Sequence, residues 1–398
     1  MRSNALAGYQ PLRSPRALVP WLAAAALLVL GPAAPGQSAQ QGPAPRGQAA
    51  AAPATVTLEQ AVRQAVQGDA LEVARLQLAS ARVAFERAMA DNLLSGSPLN
   101  EQVARNDLRK AENDFRDSHF QVVSAVVSAY FGVMKAAEAV QVAELQRQIA
   151  QAALEAAQQK ARGGMLGQLD LEDARHSAQS AEQDLAEARI ALDEAIAQLA
   201  SALGYPKSVP GPDALAVPDP LPPLPDLDAQ KAVDTALQKS GQIAWYAEAA
   251  DIARKQLQQA VAEQAAALDV QARQHAVQSA ELQLRQARLD LERSVRSALA
   301  RASAAARRLE VAAASMRLEQ QRLDAVRQQQ KAGLKTDQAV MQAEVAARQA
   351  RQSYLTAVQN YLTDLLELRR LLGEDPGLGP TTAEAMGQAA REEASSAR

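Results

Sequence analysis

The sequence predicts an all-α protein built as a tandem repeat of long antiparallel coiled-coil hairpins. Aromatic residues make up only 3% of the 398 residues. Ala, Gln, Leu, Arg and Glu, which form helices readily, fill most of the chain. The two halves of the chain also match one another at a shift of 169 residues. Because bulky core side chains are scarce, burial must come from many small contacts along long helices.

The N-terminus is typical of a secretory signal peptide. Three arginines, Arg2, Arg13 and Arg16, precede an apolar stretch over 17–31, and small residues follow it. This stretch is shorter than the ~20 residues that a membrane-spanning helix needs. A cleaved signal over residues 1–39 is therefore favoured over the alternative, an uncleaved membrane anchor. We expect an exported protein of the cell envelope.

The composition excludes several classes of function. The chain has no cysteine, which excludes disulfides, thiolate metal sites and lipoprotein acylation. A net charge of −3 offers no basic surface for nucleic acid. His119, His176 and His275 share no metal-ligand spacing, and no catalytic triad or phosphate-binding loop is visible. We predict no enzyme activity, no cofactor and no metal site.

A proline-rich stretch separates the two helical halves. Residues 205–227 contain eight prolines, which cannot continue a helix and favour an extended strap. Small and polar residues before the first half and after the second predict flexible ends. The predicted organisation is a signal peptide (1–39), a flexible leader (40–56), helical repeat 1 (57–204), a Pro-rich linker (205–227), helical repeat 2 (228–373) and a disordered tail (374–398).

Each half is predicted to contain a short helix, a very long helix, a turn and a return helix. Residues 98–162 have no proline after the first position, and Val123, Val126, Tyr130 and Val133 lie on one helical stripe. A helix of 65 residues would be ~97 Å long. So long a rod must bury its stripe against a neighbouring helix and against other protomers.

Glycines place the hairpin turns. Gly164 of the first half aligns with Gly333 of the second, and glycine accepts the left-handed backbone that ends many helices. Thr336 or Asp337 is suited to cap the second return helix. The residues exposed at the two tips are candidates for partner contact, the alternative being that each glycine only forms a turn. These candidates are Gly163, Gly164, Met165, Leu166, Gly333 and Leu334.

The repeats resemble the TolC-like outer membrane efflux protein family over residues 57–373. The resemblance lies in the openings TLEQAVRQAVQGDALEVA and DAQKAVDTALQKSGQIA, in the pattern from Gly164 to Ala174, and in the Leu-Gly pairs that close each repeat. It implies a homotrimer whose long helices form a hollow α-barrel. It also implies that the hairpin tips meet a periplasmic adaptor (membrane fusion) protein and an inner-membrane transporter.

The sequence departs from this family at the membrane strands. Members carry two β-strands in each repeat, which together close a membrane β-barrel. Here the first repeat offers only residues 91–100, and the second, over 261–275, shows no break. Neither segment holds two strands of ~9–11 residues. We therefore predict that the β-barrel strands are absent, which would favour a periplasmic or extracytoplasmic location over the outer membrane.

The resemblance also gives Asp170 and Asp173 a candidate role at the pore constriction. Carboxylates from three protomers would form a ring there, while the second repeat has Ala339 and Gln342 at the matching places. The alternative is that these acids only complement the dipole of their helix. We expect a trimeric efflux duct that docks on an adaptor and a transporter. The alternative is a non-conducting envelope scaffold or adaptor.

Overall fold

The computed structural model describes residues 56–96, 98–204 and 211–387. The signal peptide and almost all of the leader lie outside the described residues. Within the described ranges the helices of eight or more residues are α1 (Leu58–Gln67), α2 (Glu72–Ser95), α3 (Pro98–Arg162), α4 (Gln168–Ala202), α5 (Ala229–Lys239), α6 (Gly241–Ala262), α7 (Ala267–Lys331) and α8 (Asp337–Leu372).

The order of the helices confirms the predicted all-α tandem repeat. Helices α3 and α7 both contain 65 residues, and the return helices α4 and α8 contain 35 and 36. Each repeat opens with two shorter helices rather than the one that the sequence indicates. Among the described residues the only extended pairing is an isolated parallel bridge between Val56 and Leu215.

Capping residues mark the starts of several helices. Thr57 and Gln60 form a capping box at the start of α1, with each side chain bonded to the other's backbone N–H. Asp228 and Ser240 accept backbone hydrogen bonds at the starts of α5 and α6. Pro98 begins α3, where its missing N–H costs no hydrogen bond.

The segment 261–275 contains a turn that the sequence analysis does not predict. Helix α6 ends at Ala262, α7 begins at Ala267, and Gln264 adopts a positive φ of 54°. Alanine and glutamine carry no turn signal, and a left-handed glutamine is unfavourable in isolation. The packing of α6 against both α3 and α7 therefore imposes the reversal.

The four long helices lie side by side in the order α4, α3, α8, α7. Helix α3 packs against both α4 and α8, and α8 packs against α7. Among the described residues, α4 packs extensively against α3 alone. Helices α4 and α7 are thus the two edges of a four-helix layer, and both hairpin tips lie at the same end of it.

The short helices build the core over one half of this layer. Helix α1 covers α3, where Val123, Val126 and Tyr130 are fully buried, and α5 covers α7 and α8 around Val295. By length and hydropathy alone, one described helix, α3, is apolar enough to cross a membrane. Many of its apolar residues form this core, so burial within the chain accounts for much of its hydropathy.

The start of the predicted disordered tail is instead packed on the core. Arg116 donates a hydrogen bond of 3.0 Å to the carbonyl of Glu374, and Leu378 and Ala385 are buried. Residues 382–387 form a further helical turn. The segment has low hydrophobicity overall, so the sequence does not predict these few apolar contacts. Residues 388–398 lie outside the described part of the chain.

Candidate docking tips and pore residues

The first hairpin tip is a glycine-terminated turn between α3 and α4. Gly164 has a φ of +69°. The N–H of Gly164 donates to Ala161 O at 3.0 Å, and the N–H of Met165 donates to Lys160 O at 2.9 Å. This pair of bonds is the Schellman arrangement, which satisfies the last carbonyls of a helix. Gly167 then precedes α4 without a side-chain cap.

The second tip repeats this geometry between α7 and α8. Gly333 has a φ of +75°, and its N–H donates to Gln330 O at 2.9 Å. The N–H of Leu334 donates to Gln329 O at 2.9 Å. The cap that follows is Thr336, whose hydroxyl accepts from the N–H of Ala339 at 3.3 Å. The two tips therefore end in the same backbone conformation.

Three large apolar side chains are exposed at the tips. Met165 and Leu169 are each 76% exposed, and Leu334 is 74% exposed. Leu166, which the sequence analysis pairs with Met165 as an exposed residue, is only half-buried, and Leu169 stands out in its place. The sequence does not identify Leu169 as a tip residue. It lies in the first turn of α4, and periodicity alone does not tell which face of this helix meets solvent. The tips thus present apolar surface where a turn is normally polar.

Asp170 and Asp173 lie together in the first turn and a half of α4. Both side chains are exposed, and residues three apart share a helix face. Glu172 points elsewhere and pairs with Arg175 at 2.6 Å. At the corresponding place in α8, Ala339 is half-buried and Gln342 is exposed, so only one hairpin of the chain carries acids there.

Charged side chains link α8 to both of its neighbours, α3 in the first hairpin and α7 in the second. Glu138 on α3 pairs with Arg348 at 3.2 Å and with Arg351 at 2.8 Å, both on α8. Glu344 on α8 pairs with Arg327 on α7 at 3.2 Å. These pairs line a groove of about 550 Å³ between the three helices. They connect α8 to α3 and to α7 at this level.

His119, which the sequence gives no metal-ligand spacing, is a buried residue. It is fully buried on α3, and its Nδ1 lies 3.2 Å from the hydroxyl oxygen of Thr382. Burial lowers the pKa of His119 to about 4, against the smaller opposing effect of Asp375. The side chain therefore holds the C-terminal segment as a neutral imidazole. No sequence signal predicts this contact, because His119 and Thr382 are 263 positions apart in the chain.

Within the described ranges, no three His, Cys, Asp or Glu side chains are grouped so as to hold a metal ion. The three histidines are separate: His119 is buried, whereas His176 and His275 are exposed.

Solved structures with a similar fold include outer membrane channels. The CmeC outer membrane channel of Campylobacter jejuni matches with a TM-score of 0.57 and 13% identity, covering 84% of this chain and 89% of that one. The open MtrE outer membrane channel of Neisseria gonorrhoeae matches with a TM-score of 0.54 and 16% identity, over 82% and 90%. The outer membrane protein VceC of Vibrio cholerae gives 0.52 and 14%, over 80% and 96%.

The sequence itself carries the pattern of one protein family. No curated protein matches it. The family described as outer membrane efflux protein matches residues 92–205 and 264–374, which are the end of α2 with the hairpin α3–α4 and the hairpin α7–α8. These two stretches make up more than half of the chain, and they are the duplicated part that forms the four-helix layer. The chain therefore belongs to the outer membrane efflux protein family, with the fold of the TolC-like channels.

Proposed function

We propose that three copies of this chain form an efflux duct whose hairpin tips dock on a periplasmic adaptor and an inner-membrane transporter. The observation that carries the proposal is the layer α4–α3–α8–α7, with α4 and α7 at its edges. Ile190 is exposed on edge helix α4, and Val311 is exposed on edge helix α7. Large apolar side chains on both edges fit a layer that continues into further copies.

Closure into a ring follows from the type of contact. An α4 edge that meets an α7 edge of the next copy is a head-to-tail contact, which generates a ring when the rotation closes. Three copies would supply twelve long helices around a central space. The tip residues Met165, Leu169 and Leu334 would then form a circle of apolar side chains facing a partner, and Gly163, Gly164 and Gly333 would hold the backbone there.

The constriction follows from the same arrangement. The tips are the narrow end, by resemblance to the family, and Asp170 with Asp173 would bring six carboxylates around the axis. Such a ring attracts cations and repels itself, which resists complete closure. The ionic links from Glu138 to Arg348 and Arg351 would have to be strained or broken for the two hairpins to move apart.

The test is to determine the oligomeric state of the exported chain and to image it for a central channel, followed by conductance measurements in a planar bilayer. A trimer with an axial channel that conducts supports the duct. A stable oligomer without a channel, or a monomer that binds an adaptor, would instead support the non-conducting scaffold. Docking is measured separately, as capture of an adaptor by immobilised trimer.

A further inference from the structure

We propose that residues 219–226 of the Pro-rich linker are a docking ligand for a second protein, which binds them in a groove that is lined by aromatic side chains and rimmed by basic residues. We call residues 219–226 the proline segment. The efflux duct proposed above makes no use of this surface. The proposal therefore applies to a single chain as well as to a trimer.

The sequence of the proline segment determines its backbone conformation. Each residue from 217 to 225 is either a proline or the residue before a proline. Proline fixes its own φ at about −65°, and it drives the residue before it to extended or polyproline II backbone. Residues 221–228 accordingly form neither helix nor strand. The segment thus has the polyproline II conformation, a helix with three residues per turn.

Burial in the proline segment follows this period of three. One edge of the polyproline helix packs against the two hydrophobic clusters of the protein, and it consists of Leu221, Leu224 and Leu227, the last just beyond the segment. The neighbouring edge is exposed, and it consists of Pro220, Pro223 and Asp226. Pro222 and Pro225, on the third edge, are half-buried. The leucine edge therefore anchors the segment and leaves the proline rings accessible.

Hydrogen bonds hold the segment and its approach to the two inner helices of the layer. The hydroxyl of Tyr361 on α8 donates to Pro222 O at 2.6 Å, and the hydroxyl of Tyr130 on α3 bonds Ala216 O at 2.7 Å. The linker thus crosses the face of the layer from α3 to α8. Contacts between the edges of neighbouring copies would leave it accessible. Because the segment is already ordered, binding it costs little conformational entropy.

Exposed carboxylates flank the prolines. Asp219 lies at one end of the segment and Asp226 at the other, and both are exposed. These charges attract a partner whose groove has basic residues at its rim. They also repel nucleic acid and anionic lipid, which are both negatively charged. The charge pattern therefore favours a protein as the occupant.

A second copy of this chain is a poor occupant. Domains that recognise polyproline II ligands do so with grooves lined by aromatic side chains. Over residues 56–96, 98–204 and 211–387, each aromatic side chain is buried or half-buried, and none is exposed. This part of a second copy thus offers no exposed aromatic surface to the prolines. The partner that fits is a different protein.

The experiment has two steps and uses the full-length chain. A photoreactive phenylalanine analogue is placed at position 216, where Ala216 is exposed and lies three residues before the segment. Illumination of cells that export the chain then crosslinks it to its partner, which is identified and purified. In the second step this purified protein is titrated against the immobilised chain without the photoreactive residue. A synthetic peptide of residues 218–227 is the competitor.

Replacing the exposed prolines should weaken binding of the purified partner. Pro220→Ala with Pro223→Ala should lower the affinity at least about tenfold, because two apolar anchors are lost. The matched control is Pro212→Ala, which changes a proline of the same linker outside the segment and should bind as the parent does. The peptide should compete, while the same peptide with both alanines should not. Helix content should be equal in all three proteins, because the two ridge prolines are exposed and Pro212 lies outside the long helices.

A second pair of substitutions keeps every proline. Asp219→Lys with Asp226→Lys should also weaken binding, and it should abolish the loss of affinity that rising salt causes in the parent chain. Three results would overturn the proposal. These are the absence of any crosslinked protein, a crosslink only to a second copy or to the cell-wall polymer, and binding that survives both pairs of substitutions.

Discussion

The hydroxyl of Tyr130 accepts a hydrogen bond of 2.8 Å from the backbone N–H of Ala216. Its own proton faces the carbonyls of Ala216 at 2.7 Å and Val56 at 2.8 Å. One buried side chain on α3 thereby holds both the entry to the first repeat and the linker that leads to the second. Burial raises the pKa of the Tyr130 phenol, which keeps it neutral and able to donate.

Replacing Tyr130 by Phe should lower the free energy of unfolding by about 1–3 kcal/mol, because the backbone groups at Ala216 and Val56 lose a buried partner. The measurement is urea unfolding followed by circular dichroism. Tyr354→Phe is the matched control, because among the described residues the Tyr354 hydroxyl has no hydrogen-bond partner. If both substitutions lower the free energy of unfolding equally, the hydrogen bonds of the Tyr130 hydroxyl do not stabilise the fold.

Stability should depend on the protonation of His119. Its pKa is about 4 in the folded chain, below the 6.5 of a free histidine. Between these values the unfolded chain binds a proton that the folded chain does not. The free energy of unfolding therefore falls as the pH falls from 6.5 to 4, by up to about 3 kcal/mol, and the loss stops below the folded pKa.

The measurement for His119 is a series of urea unfolding curves across this pH window. In His119→Gln the slope of stability against pH should be smaller than in the parent chain, while His176→Gln, which changes an exposed histidine, should keep the parental slope. Identical slopes in all three proteins would show that His119 does not titrate in this way.

The edges of the helical layer can be tested by placing a charge on each. Ile190→Asp with Val311→Asp should convert a trimer into monomers without loss of helix, because an isolated carboxylate is costly to bury in an interface. The controls Ile190→Leu and Val311→Ile keep the apolar surface and should remain trimeric. Analytical ultracentrifugation gives the oligomeric state. A trimer that survives both aspartates would place the interface elsewhere.

Charges at the hairpin tips should weaken adaptor capture. Met165→Asp with Leu334→Asp should reduce the affinity of the trimer for a cognate adaptor at least about tenfold, since two exposed apolar contacts in each protomer are lost. Helix content and trimer mass should not change, because both side chains project into solvent. Val73→Asp adds a charge at an exposed apolar residue far from the tips, and it should bind the adaptor as the parent does.

The aspartates of α4 separate a duct from a scaffold. Asp170→Asn with Asp173→Asn should lower cation conductance of a reconstituted trimer, because the ring of carboxylates that attracts cations is removed. Glu172→Gln is the control, since Glu172 is engaged with Arg175. Unchanged conductance, with a stability loss of only a few tenths of a kcal/mol from the helix dipole, would mean that these acids are no pore residues.

The sequence predicts most of the local structure because its signals are local. The proline-free run after Pro98 predicts a helix of 65 residues, and α3 has that length. Gly164 and Gly333 predict both tips, since a left-handed backbone strongly favours glycine. The tip roles of Gly164 and Gly333 and the pore roles of Asp170 and Asp173 stay predictions, because they depend on contacts with other copies and with a partner.

By itself, the sequence determined the duplication, the all-α class and the hairpin turns, all of which follow from spacing and residue preference. Only the tertiary structure decided that α3 and α8 lie inside the layer and α4 and α7 at its edges. It alone decided the left-handed Gln264, the buried His119 and the docking of residues 374–387. The physical reason is the same in each case: these features depend on contacts between residues far apart in the chain, which overrule weak local preferences.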